Sequence, residues 1–260
     1  MKLKSFTLSF LTFLIATGLN SKAAIAASLQ ILADGLNNAR GLTFDSNGNL
    51  YVTEAGLGGQ GACIPSPTNQ GNLCYGTTGT VTKIENGQTD RILTGLPSIA
   101  LADGTAAAGP NDIKFDPNGK PYILIGYGAN PALRDPAFGN AELGKLIAAD
   151  FETNSWKTIA DLANYELANN PDRADIGSNP LAFLIDGKQA IAVDAGANNL
   201  LGVATDGSDL QAIVVLPQQI LTNPIFPPSD AQPFDPTQVP SPGDLGNAPP
   251  SGFPVQATPT

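Results

Sequence analysis

The strongest constraint on the fold is a motif that occurs three times, at a spacing of about 70 residues. Each copy combines a short apolar strand, a tight turn rich in Asp, Asn and Gly, and a second β-rich strand. Turns of this kind between two such strands are the best short-range signal for a β-hairpin. The copies span 41–52, 112–123 and 181–193, with Asp45, Asp116 and Asp186 at their turns.

A second pair of strands follows each hairpin after a glycine-rich loop. These pairs are 80–85 with 89–93, 145–150 with 156–160, and 200–204 with 211–216. Four strands in each repeat predict an all-β fold of propeller-type blades. An ordinary β-sandwich is the alternative, but the regular spacing argues against it. A short helix is expected only near 161–168.

The two ends of the chain differ from the repeat region. Lys2 and Lys4, an apolar stretch over 6–19 and an Ala-Ile-Ala pattern ending at Ala26 indicate a signal peptide over 1–26. A retained membrane anchor is the alternative. The partial propeller is then expected over 27–216, and 217–260 is a proline-rich irregular segment that leads toward a missing fourth blade.

Charge limits the classes of partner. The chain has 23 acidic and 13 basic side chains, for a net charge of −10. Nucleic acid and anionic lipid are therefore not expected to bind. No later stretch is apolar for long enough to predict a membrane span once the signal is removed.

The two cysteines, Cys63 and Cys74, lie in one segment rich in Gly, Pro and Asn. In an exported protein they are expected to form a disulfide. Closing so short a loop stabilises by about 2–3 kcal/mol in the chain-entropy model, so the bridge is expected to order the loop, with the core maintaining the fold.

The chain contains no histidine, which excludes a Ser-His-Asp triad and histidine-bound zinc. Loops that enter the innermost strands usually form the functional surface of a propeller, so the residues before each hairpin are candidates. The candidates are Asn111, Asp112 and Asn179, together with Glu54 and Asp194 after the second strands. Their side-chain oxygen atoms are suitable ligands for calcium, although Asn and Asp also cap turns.

Recurring side chains have simpler structural interpretations. The aspartates of the three hairpins are expected to accept backbone N–H groups in their turns. Aromatic residues recur at matching positions and are expected to pack one blade against the next. These aromatic residues are Phe44, Tyr51, Phe115, Tyr122 and Phe183.

The chain resembles the ScyD/ScyE family of propeller-like proteins associated with the scytonemin pigment cluster. The resemblance is carried by the export signal, by 38–45, 51–56 and 109–113, and by the cysteine loop. It implies a protein of about six blades, so the chain is expected to be a truncated copy forming an open arc. It also implies a loose link to pigment production.

A more distant resemblance connects the chain to NHL-repeat proteins and to calcium-dependent lactonase propellers. In the lactonases a Glu, Asn and Asp set holds a catalytic divalent ion. By that resemblance Glu54, Asn111, Asn179 and Asp194 are the matching set.

Three functions are compatible with the sequence. The leading hypothesis is a non-catalytic binding or scaffold protein of the cell envelope, periplasmic or extracellular, which presents loops to a protein or a small apolar metabolite. A calcium-dependent hydrolase or lactonase is the alternative, and a non-functional fragment is the third. An open arc also predicts self-association through exposed blade faces that include Phe183 and Ile185.

Overall fold

The structure is a computed structural model, and it describes residues 30–85 and 87–217. The expected signal peptide at 1–26 lies outside the described residues, as does all but the first residue of the segment 217–260. The partial propeller expected over 27–216 corresponds to most of the described chain.

The described chain folds as three antiparallel sheets, each built around four strands in chain order. This is the strand layout of propeller-type blades. The first sheet contains β1 (Ala39–Phe44), β2 (Leu50–Glu54), β3 (Cys63–Pro65), β4 (Asn72–Glu85) and β5 (Gln88–Ala100), of which β3 is an added strand. The second contains β6 (Pro110–Phe115), β7 (Pro121–Ile125), β8 (Lys145–Asp150) and β9 (Ser155–Asp161). The third contains β10 (Pro180–Asp186), β11 (Gln189–Asp194), β12 (Asn199–Ala204) and β13 (Gln211–Val215).

Two of the three hairpin aspartates act as predicted. Asp45 and Asp116 each accept two backbone N–H groups of their own turn through Oδ1. The prediction was wrong for Asp186, whose side chain makes no such bond. Asp186 pairs directly with Gln189 across a two-residue turn, which is shorter than the turns that follow Asp45 and Asp116.

Apolar cores lie between adjacent sheets. Tyr51 is buried between the first and second sheets, and its ring centroid lies 4.8 Å from that of Phe115. Tyr122 and Phe183 are buried between the second and third sheets. The expected packing role is therefore confirmed for these four aromatic residues. It was wrong for Phe44, which is 62% exposed at the end of β1, on the first sheet.

The free face of the third sheet differs from the expected one. Phe183 is buried and Ile185 is half-buried against the second sheet, so neither forms an exposed face. Side chains alternate along a strand, and the intervening Leu184 points away and is 50% exposed. Ile213 and Val214 on β13 are also exposed. Self-association through this apolar face stays a prediction.

Two short helices interrupt the second repeat, α1 (Arg134–Phe138) and α2 (Leu162–Asn169). The second confirms the helix expected near 161–168. It begins after Asp161, whose carboxylate accepts the backbone N–H of Asn164 as an N-cap. Within the described ranges no helix is long and apolar enough to cross a membrane.

The innermost strands β1, β6 and β10 lie side by side. β1 approaches β6 so closely that a Cβ atom added to Gly41 would lie 2.6 Å from Oδ1 of Asp112. Between β6 and β10, the side-chain Nδ2 of Asn111 donates a hydrogen bond to the carbonyl of Pro180 at 2.7 Å. The entry points of all three innermost strands are thereby brought to one end of the molecule.

Candidate binding cleft

A cleft of about 530 Å³ opens beside the segment that enters β10. It is lined by the end of β3 with the loop that follows it, by the loop after β7, by the segment before β10 and by the loop after β11. None of the fourteen residues that line it carries a formal charge. They are Pro65, Ser66, Pro67, Asn69, Gly128, Ala129, Asn130, Leu133, Ile176, Gly177, Ser178, Asn179, Ala195 and Gly196.

A second cavity, of about 260 Å³, adjoins the cleft and shares Gly128 and Asn179 with it. Arg40, Asn111 and Asn179 reach it from the starts of β1, β6 and β10. The Arg40 guanidinium donates to the carbonyl of Ala107 at 2.8 Å, and no described carboxylate forms a salt bridge with it. The inner end of the site therefore offers hydrogen-bond donors and one cation.

The cysteine loop forms one wall of the cleft. Cys63 and Cys74 lie opposite each other on β3 and β4 and form a disulfide, which confirms the prediction. Beyond the bridge, the backbone N–H of Ser66 donates to the carbonyl of Gly71 at 2.8 Å. The disulfide therefore clamps the base of a turn that carries Pro65, Ser66 and Pro67.

The second wall was not predicted from the sequence. Asn130 caps a single turn of 3-10 helix over Pro131–Leu133, with its side-chain oxygen accepting the backbone N–H of Ala132. Ala129 and Ser178 pair by backbone hydrogen bonds, which ties this loop to the start of the third repeat. The Asn-Pro dipeptide is the sequence signal that would have located this turn.

The structure brings two of the five predicted site residues to the cavities. Asn111 and Asn179 both line the inner cavity. Asp112 lies beside Asn111 but turns away, with Oδ1 accepting from Lys114 Nζ at 2.6 Å and Oδ2 accepting from the backbone N–H of Phe183 at 3.1 Å. Asp112 therefore connects two sheets and lines neither cavity.

Glu54 lies apart from the cleft and is occupied by other groups. Its carboxylate accepts two hydrogen bonds from Arg91, one from the backbone N–H of Asn37 and one from Thr82. Burial raises the pKa of Glu54, but these bonds, the strongest from Arg91, outweigh burial and lower the pKa to about 2. Glu54 therefore forms a structural ion pair with Arg91 and holds the segment that precedes β1.

Asp194 occupies the corresponding position in the third repeat. It accepts the hydroxyl of Ser178 and the backbone N–H groups of Asn179, Gly196 and Ala197. Burial raises the pKa of Asp194, and these hydrogen bonds oppose the rise. The carboxylate holds the loops beneath the cleft and does not line it.

The predicted lactonase-like set of Glu54, Asn111, Asn179 and Asp194 is thus divided between two roles. Both carboxylates are engaged in holding loops, and the two asparagines face the inner cavity. Over residues 30–85 and 87–217, no group of three or more His, Cys, Asp or Glu side chains is placed to hold a metal ion.

Comparisons with known proteins add a distant structural likeness. No family model matches the chain, and no curated protein matches it. Among solved structures, the chain is similar to a Thermus thermophilus protein described as a putative oxidoreductase (glucose dehydrogenase). The match has 17% identity and a TM-score of 0.31, and it covers 67% of this chain and 63% of that one.

Proposed function

We propose that this chain is an exported, propeller-type binding protein that holds a small, uncharged and largely apolar molecule in the cleft beside the disulfide. The observation that carries the proposal is the lining of the cleft. All fourteen residues are uncharged, in a chain whose net charge is −10. A mostly apolar concave site with a few convergent polar groups is typical of small-molecule binding.

The chemistry of the walls suggests how such a molecule would be held. Leu133 and Ile176 offer apolar contact, and both are partly exposed to solvent. Asn111 and Arg40 in the inner cavity offer hydrogen-bond donors to a carbonyl or hydroxyl group at one end of the ligand. The ligand class is therefore an apolar body with a single polar end.

Export and a link to scytonemin pigment production are part of the same proposal. The disulfide supports export, because such bonds persist in oxidising compartments. The resemblance to the ScyD/ScyE propellers supports the link to a small apolar metabolite.

The neutral fluorophore N-phenyl-1-naphthylamine is a suitable probe for the cleft. We expect Leu133→Glu to weaken its binding at least about tenfold, because the variant places a charge in an apolar site. Leu184→Glu is the matched control, since it changes a comparably exposed leucine on the free face of the third sheet. Fluorescence titration of both variants measures the effect.

The control should bind within about twofold of the unchanged chain, a difference well below about 1.4 kcal/mol. If Leu184→Glu abolishes binding while Leu133→Glu leaves it intact, the dye occupies the free face and the proposal is wrong.

A further inference from the structure

Buried polar atoms without hydrogen bonds are concentrated in one part of the molecule. Six such side-chain atoms occur among the described residues, and five belong to Glu166, Asn170 and Asn199. They are both carboxylate oxygens of Glu166, the side-chain oxygen of Asn170, and both polar atoms of the Asn199 amide. Native proteins leave few buried polar groups unpaired, and a missing water or ion is a common reason.

Glu166 and Asn199 lie at the junction between the second and third sheets, because Asp194 is close enough to Glu166 to raise its pKa and pairs with Asn199 across β11 and β12. Glu166 follows Leu162 by one turn of α2, and Leu162 packs in the core between those sheets. Asn199 precedes Leu201 by two residues on β12, so the two side chains share the face that is buried in the same core. Glu166 and Asn199 are 0% and 1% exposed.

Asn170 is held at the same junction by hydrogen bonds. It ends α2 in the left-handed conformation, with its backbone N–H donating to the carbonyl of Glu166 at 2.8 Å. Asp172 then accepts the side-chain amide of Asn198 at 2.7 Å. This bond fastens the loop after α2 to the residue next to Asn199.

The electrostatics of the junction favour a cation. Burial, followed by the nearby carboxylates of Asp172 and Asp194, raises the pKa of Glu166 to about 7. No described Lys or Arg forms a salt bridge with any of these three acids. The buried cations Arg134 and Lys145 are committed to Asp161.

We infer that Glu166, Asn170 and Asn199 bind a calcium ion at the junction between the second and third sheets. The carboxylate and the two amide carbonyls supply four oxygen atoms, and calcium accepts about six to eight oxygens, so water would complete its shell. Two of the three residues are asparagines, so the donor set contains a single carboxylate. With one charged ligand, the affinity belongs to the weak extracellular class, with a Kd on the order of 10⁻⁴–10⁻³ M.

Thermal unfolding of residues 27–260 in EDTA and in about 5 mM calcium chloride tests the site. We expect calcium to raise the Tm by about 3–5 °C, because a ligand that binds only the folded state stabilises it by RT ln(1 + [L]/Kd), which is about 1–2 kcal/mol at this concentration and affinity. Terbium provides a second measurement, since Tyr165 is adjacent to Glu166 in sequence and can sensitise terbium luminescence.

Two variants should lose the calcium response. Glu166→Gln keeps the shape of the side chain and removes its charge. Asn170→Gly deletes the amide, including its hydrogen bond to the carbonyl of Ala174, and suits the left-handed backbone at φ 39°, so this variant should fold. Glu152→Gln on the exposed β8–β9 turn is the matched control and should keep the full Tm shift and terbium signal.

Either of two results would overturn the inference. The first is that calcium does not change the Tm of the unchanged chain. The site would then hold trapped water beside a protonated Glu166. The second is a full calcium shift in both Glu166→Gln and Asn170→Gly, which would place calcium elsewhere.

Discussion

Replacing Asp161 with Ala is expected to lower the free energy of unfolding by about 4 kcal/mol, because the buried Arg134 then keeps only the exposed Asp135 as a carboxylate partner and the buried Lys145 keeps none among the described residues. Asp161 accepts two hydrogen bonds of 2.7 Å from Arg134, and its Oδ2 lies 3.8 Å from Lys145 Nζ. Both cationic side chains are only 3% exposed. The substitution also removes the N-cap of α2, which contributes about 1 kcal/mol of the total.

Urea unfolding of residues 27–260 at pH 7 measures this loss. Asp135→Ala is the matched control, because Asp135 also accepts a hydrogen bond from Arg134 but its side chain is 59% exposed. The control is expected to cost less than about 1 kcal/mol. Similar losses in the two variants would mean that the buried ion pair with Asp161 stabilises the fold no more than the exposed pair with Asp135.

Replacing Glu54 with Gln is expected to cost about 3 kcal/mol at pH 7. This value corresponds to the displacement of the pKa of Glu54 from 4.5 to about 2 on folding. Because the pKa is lower in the folded state, the stabilisation is complete above about pH 4.5 and is lost as the pH falls through about 2. The difference between the two proteins should therefore shrink steadily below pH 4.5.

Urea unfolding at a series of pH values from 7 to 2 follows this difference directly. Glu152→Gln, on an exposed turn, should stay within about 0.5 kcal/mol of the unchanged chain throughout. A loss at Glu54 that does not vary with pH would mean that the variant disturbs packing, and that the ion pair with Arg91 contributes little.

The repeat made the architecture predictable from sequence. Turns rich in Asp, Asn and Gly fix hairpins locally, and three copies at a regular spacing leave few alternatives to blades. The disulfide was predictable for a similar reason, since Cys63 and Cys74 are the only cysteines and lie in one loop. Pairing of residues close in sequence depends little on the rest of the fold.

The roles of individual polar residues were less predictable, because they depend on contacts between distant segments. Glu54 was predicted to be a ligand because the sequence does not show its contact with Arg91, which lies 37 residues later. Asn111 and Asn179 were identified because they stand at strand entries, which the repeat locates. Glu166 was missed because its burial, and the proximity of Asp194 in the third sheet, depend on how distant segments pack.

Strand alternation explains the remaining error. Phe183 and Ile185 were expected to face solvent, but a strand with apolar residues on both sides does not reveal which side meets a neighbour. Here Phe183 packs inward and Leu184 faces outward. The position of the second sheet determines which side of β10 is buried.

Hydrogen exchange with and without N-phenyl-1-naphthylamine tests the central claim, that the cleft beside the disulfide is the binding site. We expect slower exchange in the segments that form the walls, which are 64–71, 128–133 and 176–179. Slower exchange confined to β10 and β13 would place the dye on the free face of the third sheet. That result, or no change at any wall segment under saturating dye, would contradict the claim.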